Sequence, residues 1–287
     1  MKSEVVKPIY EFLVWDNCHN KCKFCFQRTN PRNFSLFDQG SICGRVISYL
    51  NSDQYKDGSH VLIVGGELFD DIRRIFLLEF FDQLTDMMVS GKIDLLYVNT
   101  NLIFDSECLD HLQKILKVFI DKGVIDKLKF TTSYDLNGRF KTPETRNLFL
   151  HNLLELFAVP SLNIVTNIIL TKDVCNSKFD IFEFEKETHT TVNLIPYIIL
   201  DKSLAATRTE IFDYLKYLEN KNPEFIRKFL FELDLKQPRV LLVSTNTGWV
   251  EKTCENAECG HSINFKRYSD SGHCFVCDVK QFFNRYE

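Results

Sequence analysis

The sequence contains no uncharged apolar run of the roughly 18 residues that a membrane-spanning helix needs. Its first residues, MKSEVVKPIYEFLVWD, also lack the uninterrupted apolar segment of a secretion signal. An excess of basic residues is missing too, since 35 Lys and Arg stand against 39 Asp and Glu, for a net charge of -4. A long nucleic acid is therefore not an expected partner. Together these absences predict a soluble, cytoplasmic protein with no membrane partner.

Cysteine, in contrast, is abundant, with ten residues in the chain. Seven of them fall in two tight groups, and in a reducing compartment such groups seldom form disulfide bonds and more often bind metal. The other three, Cys43, Cys108 and Cys175, are scattered along the sequence. We predict that these three are small buried hydrophobic residues.

The middle of the chain alternates strand-like and helix-like patterns, without a repeat strict enough for a solenoid. Six segments are predicted strands: IYEFLVW, HVLIVGG, DLLYVNTN, KLKFTTSY, NIVTNIILT and VNLIPYIIL. Between them we predict amphipathic helices, one with apolar residues at four-residue steps from Ile72 to Met88, and one capped by Thr142 with Pro143 in its first turn. This pattern predicts a parallel sheet covered by helices, either a partial barrel or a doubly wound sheet, with ligands at the carboxyl ends of the strands.

The pattern changes after about residue 203, so the α/β part is assigned to residues 1–203. Residues 204–235 are predicted to form a helical connection. Residues 236–287 are predicted to form a small cysteine-rich appendage, which begins with two short strands around an Asn-Thr-Gly turn.

The first cysteine group, Cys18, Cys22 and Cys25, has the spacing C-x3-C-x2-C directly after the first predicted strand. Thiolates suit zinc or the iron of an iron-sulfur cluster. Three of them leave one iron of a four-iron cluster open, and an open coordination site is where an outside molecule binds. The alternative is a zinc site completed by His19 or by a distant residue.

With the aromatic residue Phe24 before its last cysteine, this group resembles the cluster loop of the radical S-adenosylmethionine (radical SAM) enzymes. The resemblance implies a partial (β/α)6 barrel in which the three thiolates hold a 4Fe-4S cluster and S-adenosylmethionine chelates the fourth iron. Reductive cleavage of that cofactor gives a 5'-deoxyadenosyl radical, which abstracts hydrogen from a substrate. A flavodoxin or ferredoxin of the host is implied as the electron donor.

Other motifs extend this resemblance over roughly residues 8 to 200. Gly65, Gly66 and Glu67 resemble the family's Gly-Gly-Glu motif, in which the backbone approaches closely and a carboxylate meets the amino group of the cofactor. The third strand ends in YVNTN, where Leu102 stands in place of the family's glycine. By the same resemblance, further cofactor contacts are expected from Asn99, Ser133, Asp135, Arg139, Asn167 and Pro196.

The second cysteine group consists of Cys254, Cys259, Cys274 and Cys277, spaced C-x4-C-x14-C-x2-C. Four thiols complete a tetrahedral zinc site by themselves, as in a zinc ribbon. The surrounding pattern instead resembles the SPASM or twitch appendages of radical SAM enzymes, which hold auxiliary 4Fe-4S clusters, although the cysteines are too few for two extra clusters. Both a second 4Fe-4S cluster and zinc therefore remain open for this group.

These patterns favour an enzyme that forms a radical on a peptide or protein side chain, because such appendages are frequent among peptide-modifying members of the family. No catalytic residue on the substrate side is assigned. An alternative substrate is a nucleoside, a nucleotide or another small molecule, since CHNKCKFCF also resembles the cluster loop of viperin-type nucleotide dehydratases. A non-enzymatic, metal-binding redox sensor is the remaining alternative.

Overall fold

A computed structural model describes residues 7–25, 33–197, 201–234, 239–245, 248–253 and 275–284. All six strands predicted from the sequence form, and two more follow in the C-terminal part. The strands are β1 Ile9–Leu13, β2 Ser59–Val64, β3 Ile93–Asn99, β4 Leu128–Tyr134, β5 Asn163–Leu170, β6 Thr191–Pro196, β7 Arg239–Ser244 and β8 Trp249–Thr253. They lie in one sheet in the order β6-β5-β4-β3-β2-β1-β7-β8, in which only β8 is antiparallel to its neighbour.

Helices follow the strands in the alternation that the sequence predicts. Their bounds are α1 Leu36–Leu50, α2 Phe76–Val89, α3 Ser106–Asp121, α4 Pro143–Phe157, α5 Lys172–Asn176, α6 Ile181–Thr188, α7 Arg208–Lys221, α8 Pro223–Asp234 and α9 Phe275–Asn284. Thr142 caps α4 by accepting from the backbone N–H of Thr145, as predicted. The four-residue periodicity places the start of α2 too early, because Ile72 lies before the helix and is exposed. No helix of the described residues is long and apolar enough to cross a lipid bilayer.

The two faces of the sheet have different surroundings. Side chains of one face are buried against the helices, as where Phe130 of β4 joins the core with Phe149 and Leu153 of α4. The opposite face, here called the open face, is half-buried. On β3 to β6 its side chains are largely polar, and register pairs them across neighbouring strands: Tyr97 with Lys129, Asn99 with Thr131, Ser133 with Asn167, and Asn167 with Asn193. The open face therefore offers hydrogen-bonding groups that the core face does not.

The hairpin of β7 and β8 extends the main sheet, since β7 pairs in parallel with β1. Ser244 donates its hydroxyl to the carbonyl of Val14, and Arg45 of α1 donates to the carbonyl of Thr245 at 2.9 Å. The predicted strand pair is thus present. β7 nevertheless shares a sheet with the strands that precede it in the chain. The predicted domain boundary near residue 236 stays a prediction.

Candidate cofactor site

The cysteine-bearing segment, residues 14–25, follows β1 and is called the cluster loop below. Its side chains alternate in exposure: Cys18 and Cys22 are half-buried and buried, whereas His19, Lys21 and Lys23 are exposed. Two side-chain amides are hydrogen-bonded to cysteine sulfurs of this loop. Asn101 Nδ2 donates to Cys18 Sγ at 3.4 Å, and Asn20 Nδ2 donates to Cys22 Sγ at 3.2 Å. None of the three cysteines forms a disulfide bond within the described residues.

Burial is the main influence on these thiols. It raises the pKa of Cys18 to about 12, with Glu67 and Asp70 adding to the effect, and it raises the pKa of Cys22 as well, against the lowering effect of Arg139. Across the described ranges, no three His, Cys, Asp or Glu side chains are placed to hold a single metal ion. A 4Fe-4S cluster binds each thiolate at a different iron, and metal binding releases the thiol protons.

The Gly-Gly pair after β2 packs against the cluster loop. A Cβ on Gly65 would lie 2.6 Å from the carbonyl oxygen of Trp15, and one on Gly66 would overlap the carbonyl oxygen of Asn17. The backbone N–H of Gly66 donates to Trp15 at 2.6 Å, and that of Glu67 donates to Asn17 at 2.8 Å. The close backbone approach at these glycines is to the chain's own loop. Their predicted contact with the cofactor stays a prediction.

Glu67 is fully buried at the junction of three strand ends. Its Oε1 accepts from the backbone N–H of Phe69 at 3.1 Å and from the Thr100 hydroxyl at 2.9 Å, while Oε2 accepts from the backbone N–H of Asn101. Burial and the neighbouring Asp70 raise the pKa of Glu67 to about 7, despite these three donors. The carboxylate therefore ties the loop after β2 to the end of β3, and its predicted contact with the cofactor's amino group stays a prediction.

We expect Glu67→Gln to lower the free energy of unfolding of the apoprotein by about 1 to 3 kcal/mol, because an amide cannot accept from all three donors and leaves a buried N–H unpaired. The raised pKa means that the folded protein binds a proton more tightly than the unfolded chain does. Glu67 therefore stabilises the fold most at low pH, and this contribution is lost as the pH rises through about 7. The stability gap between wild type and variant should narrow from pH 5.5 to pH 8 in urea denaturation.

The exposed Glu155 of α4 provides the matched control. Glu155→Gln should change the unfolding free energy by less than about 0.5 kcal/mol at either pH. Equal stabilities of Glu67→Gln and Glu155→Gln would contradict the role assigned to the buried carboxylate.

A buried ion pair holds the outer side of the cluster loop. Asp70 Oδ2 accepts from the backbone N–H of His19 at 2.9 Å and lies 2.8 Å from His19 Nδ1, while Asp70 Oδ1 lies 2.6 Å from Arg74. Both members of the pair have side chains that are only 3% exposed. Arg74 also donates to the carbonyls of Glu67 and Leu68 at 2.7 and 3.0 Å. The sequence gives no sign of this pair, since nothing in the spacing of Asp70 and Arg74 distinguishes them from surface charges.

The same arginine leads to a second tie. Arg74 Nε donates to Gln39 Oε1 at 2.7 Å, and Gln39 donates to the carbonyl of Phe34 at 2.9 Å. Asn17 closes the connection, since its side chain accepts from the N–H of Phe34 at 2.9 Å and donates to the Phe34 carbonyl at 3.0 Å. The start of the cluster loop is thereby fixed to the approach to α1.

After β3, Asn101 contacts the cluster loop, whereas the predicted cofactor contact of Asn99 stays a prediction. Asn101 donates to Cys18 through its side chain and to Glu67 through its backbone, whereas Asn99 accepts from the hydroxyl of Thr131 on the open face. Leu102, which stands where the resembled family has glycine, has a φ of 56° and is fully buried. The chain thus keeps a left-handed turn at this position with a side chain that packs in the core, at a cost in backbone strain.

The end of β4 lies on the other side of the cluster loop. Gly138 accepts from the backbone N–H of Lys23 at 2.7 Å, and Arg139 donates to the carbonyl of Asn101 at 2.7 Å. Asp135 and Arg139 are buried, and within the described residues Asp135 Oδ1 and Arg139 Nε have no hydrogen-bond partner. An unpaired buried acceptor beside an unpaired buried donor suits a polar molecule that supplies both partners.

Phe24 joins a small apolar cluster formed by the ends of the last parallel strands. Ile169, Tyr197 and Leu204 are its buried members, and Phe24 and Ala205 pack against it. This cluster lies apart from the main core. It gives the cluster loop a flat apolar neighbour of the kind that a purine ring contacts.

The remaining predicted residues lie along the sheet. Ser133 and Asn167 are register partners on the open face, and Pro196 is the buried last residue of β6, paired with Leu170. Cys254, Cys259 and Cys274 lie outside the described residues, as does the side chain of Cys277, whose backbone belongs to α9. The predicted burial of Cys43, Cys108 and Cys175 is confirmed.

Comparisons with known proteins identify the fold. No model of a protein family matches the sequence, and no curated protein matches it. Among solved structures, the chain is similar to hexahistidine-tagged anSMEcpe with bound AdoMet, an anaerobic sulfatase-maturating enzyme of the radical SAM type. The TM-score is 0.60 at 13% sequence identity, and the match covers 97% of this chain and 93% of that chain. The predicted α/β fold, a partial barrel of the radical SAM type, is thus confirmed.

Proposed function

We propose that this chain is a radical SAM enzyme that binds a 4Fe-4S cluster at Cys18, Cys22 and Cys25. The observation that carries the proposal is the convergence of three strand ends on the cluster loop, within the fold of an AdoMet-bound enzyme. Glycines 65 and 66 pack on the loop from β2, Asn101 contacts it from β3, and Gly138 accepts from it after β4. These backbone and amide contacts fix the loop's shape and leave all three thiols available as metal ligands.

The residues present fit the group. Cys18, Cys22 and Cys25 would hold the cluster, which would supply the electron for the reductive cleavage of S-adenosylmethionine. Asn101 and Asn20 donate to the sulfurs of Cys18 and Cys22, which stabilises the thiolate form. Arg139 Nε and Asp135 Oδ1 remain to bind a carboxylate and a hydroxyl of the cofactor.

The apolar cluster around Phe24 is proposed to hold the adenine, with Ile169 and Tyr197 as its walls. On the open face, Asn99, Ser133 and Asn167 present amides and a hydroxyl toward the ribose and the substrate. We propose a peptide or protein side chain as the substrate. Support comes from the neighbour named as a sulfatase-maturating enzyme, whose fold matches over 97% of this chain.

The test is anaerobic reconstitution of the full chain with iron and sulfide, followed by S-adenosylmethionine and dithionite. We expect release of 5'-deoxyadenosine, measured by chromatography, because the described site provides ligands for the cluster and partners for the cofactor. A protein that binds about four irons per chain but releases no 5'-deoxyadenosine would overturn the proposal in favour of a metal-binding sensor.

We propose separately that the C-terminal cysteines bind a second 4Fe-4S cluster. Counting iron and zinc in the anaerobically purified protein, before reconstitution, should give about eight irons per chain, because each cluster holds four. Replacing Cys274 and Cys277 by serine should lower the count to about four, since the pair supplies two of the cluster's ligands. A count of about four irons and one zinc would contradict the second cluster and assign a structural zinc site instead.

A further inference from the structure

The outer surface of the cluster loop carries an unusual charge distribution. Between Asp16 and Asp38 the sequence has no Asp or Glu, although it contains four Lys or Arg residues, in a protein whose net charge is -4. Two of the four, Lys21 and Lys23, lie in the described part of the loop, and both are exposed. They flank the buried Cys22, so two positive charges lie on the exposed side of the loop at this point.

Exposed apolar side chains lie at the same end of the sheet. Phe37 in the first turn of α1 is 82% exposed, and Ile75, directly before α2, is 75% exposed. The two helices are in contact there, since a Cβ on Gly40 of α1 would lie 3.6 Å from the ring of Phe76. The segment before α2 also carries Asp70, which bonds the cluster loop at His19. The apolar side chains therefore lie beside the basic loop.

We infer that Lys21, Lys23, Phe37, Ile72 and Ile75, here called the donor surface, form the docking site for an acidic redox protein that delivers one electron. The inference rests on the proposed function, which requires an electron from outside the chain. In each transfer the partner is oxidised by one electron and the bound cluster is reduced by one. An apolar centre with a charged rim is the usual composition of a specific interface.

Charge complementarity selects this occupant over others. Opposite charges steer association and can raise its rate about tenfold or more at low salt. The net charge of -4 repels an acidic protein on average, so a local positive surface can direct it to the loop that would hold the cluster. A long nucleic acid would meet the same two lysines, but the net charge of -4 disfavours it. Binding of an oligonucleotide instead of flavodoxin is therefore the competing outcome of the experiment.

The experiment uses the reconstituted full chain and an acidic flavodoxin as the probe. The charge-reversed variant Lys21→Glu/Lys23→Glu should bind flavodoxin at least about tenfold more weakly in calorimetry at low salt. The control Lys56→Glu/Lys114→Glu changes the net charge equally at two exposed positions elsewhere, and it should stay within about twofold of wild type. In about 1 M salt, where the Debye length is about 3 Å, the variants should converge.

A second pair of variants tests the apolar part. Ile75→Ser should weaken flavodoxin binding, whereas Ile120→Ser, at an exposed position on α3, should not. The inference would be overturned if, in either pair, the donor-surface variant and its control weakened flavodoxin binding equally. It would also be overturned if the charge-reversed variant lost oligonucleotide binding but kept flavodoxin binding unchanged. Failure of the proposed function is distinguishable, because it would appear as absent iron or absent 5'-deoxyadenosine in wild type with dithionite, a small reductant that needs no docking surface.

Discussion

Replacing Cys18, Cys22 and Cys25 together by alanine should abolish S-adenosylmethionine cleavage and remove about four irons per chain. Each thiolate is one of only three protein ligands to the proposed cluster, so none is spare. The fold should survive, because the loop is held mainly by backbone and amide contacts, such as those of Gly66 to Trp15 and of Asp70 to His19. The measurements are iron content, 5'-deoxyadenosine release and far-ultraviolet circular dichroism.

The three buried cysteines of the helices give a matched control. Cys43, Cys108 and Cys175 are each 4% exposed. Among the described residues, none of them is hydrogen-bonded to the cluster loop. Their combined replacement by alanine should leave iron at the loop unchanged, with only the modest loss of stability expected for small cavities. If the loop variant still releases 5'-deoxyadenosine after anaerobic reconstitution, the cluster is bound elsewhere.

Gly66→Ala should destabilise the protein by more than about 4 kcal/mol, a size that single substitutions seldom reach. The added Cβ would overlap the carbonyl oxygen of Asn17 and lie 2.5 Å from its carbonyl carbon. Both are backbone atoms, so the clash cannot be relieved by rotating a side chain. Relief requires separating β2 from the cluster loop, which also breaks the hydrogen bonds of Gly66 to Trp15 and of Glu67 to Asn17. Urea denaturation of the apoprotein measures the effect.

Gly→Ala substitutions at two other positions should have smaller effects on stability, and their expected order tests the same packing. A Cβ on Gly65 would approach the carbonyl oxygen of Trp15 at 2.6 Å, so Gly65→Ala should cost less than Gly66→Ala. Gly44 lies within α1 with no atom within 4 Å of an added Cβ, and Gly44→Ala should stabilise by up to about 1 kcal/mol. If Gly66→Ala fails to fold, the order of Gly44 and Gly65 still tests the packing. A Gly66→Ala protein within about 1 kcal/mol of wild type, the ordinary size of a point-mutant effect, would refute it.

Local sequence was sufficient for most of the secondary structure. Apolar runs located the six strands β1 to β6, and the Thr-Pro signal located the start of α4, because propensity and capping act within a few residues. The exception is Ile72, whose four-residue spacing from Phe76 matches a helix although the chain there is a loop held by the Asp70–Arg74 pair. Tertiary contacts override periodicity at that point.

The site was predictable where a motif lies within one short segment. The cysteine spacing and the Gly-Gly-Glu motif fall in the cluster loop and directly after β2, as expected. What the sequence did not reveal are the contacts between segments: Asn101 with Cys18, Asp70 with His19, and Gly138 with Lys23. These pairs depend on strand order and register, which bring residues from distant parts of the chain together.

The position of β7 beside β1 has a consequence for biosynthesis. The strand that leads into the cysteine loop acquires one neighbour from residues 59–64 and its other neighbour only from residues 239–244. During translation β1 therefore remains a sheet edge, with unpaired backbone N–H and C=O groups, until residues 239–244 have left the ribosome. Among the strands of this sheet, the first one made is thus among the last to be enclosed, so its free edge needs protection from incorrect pairing until the strand of residues 239–244 has been made.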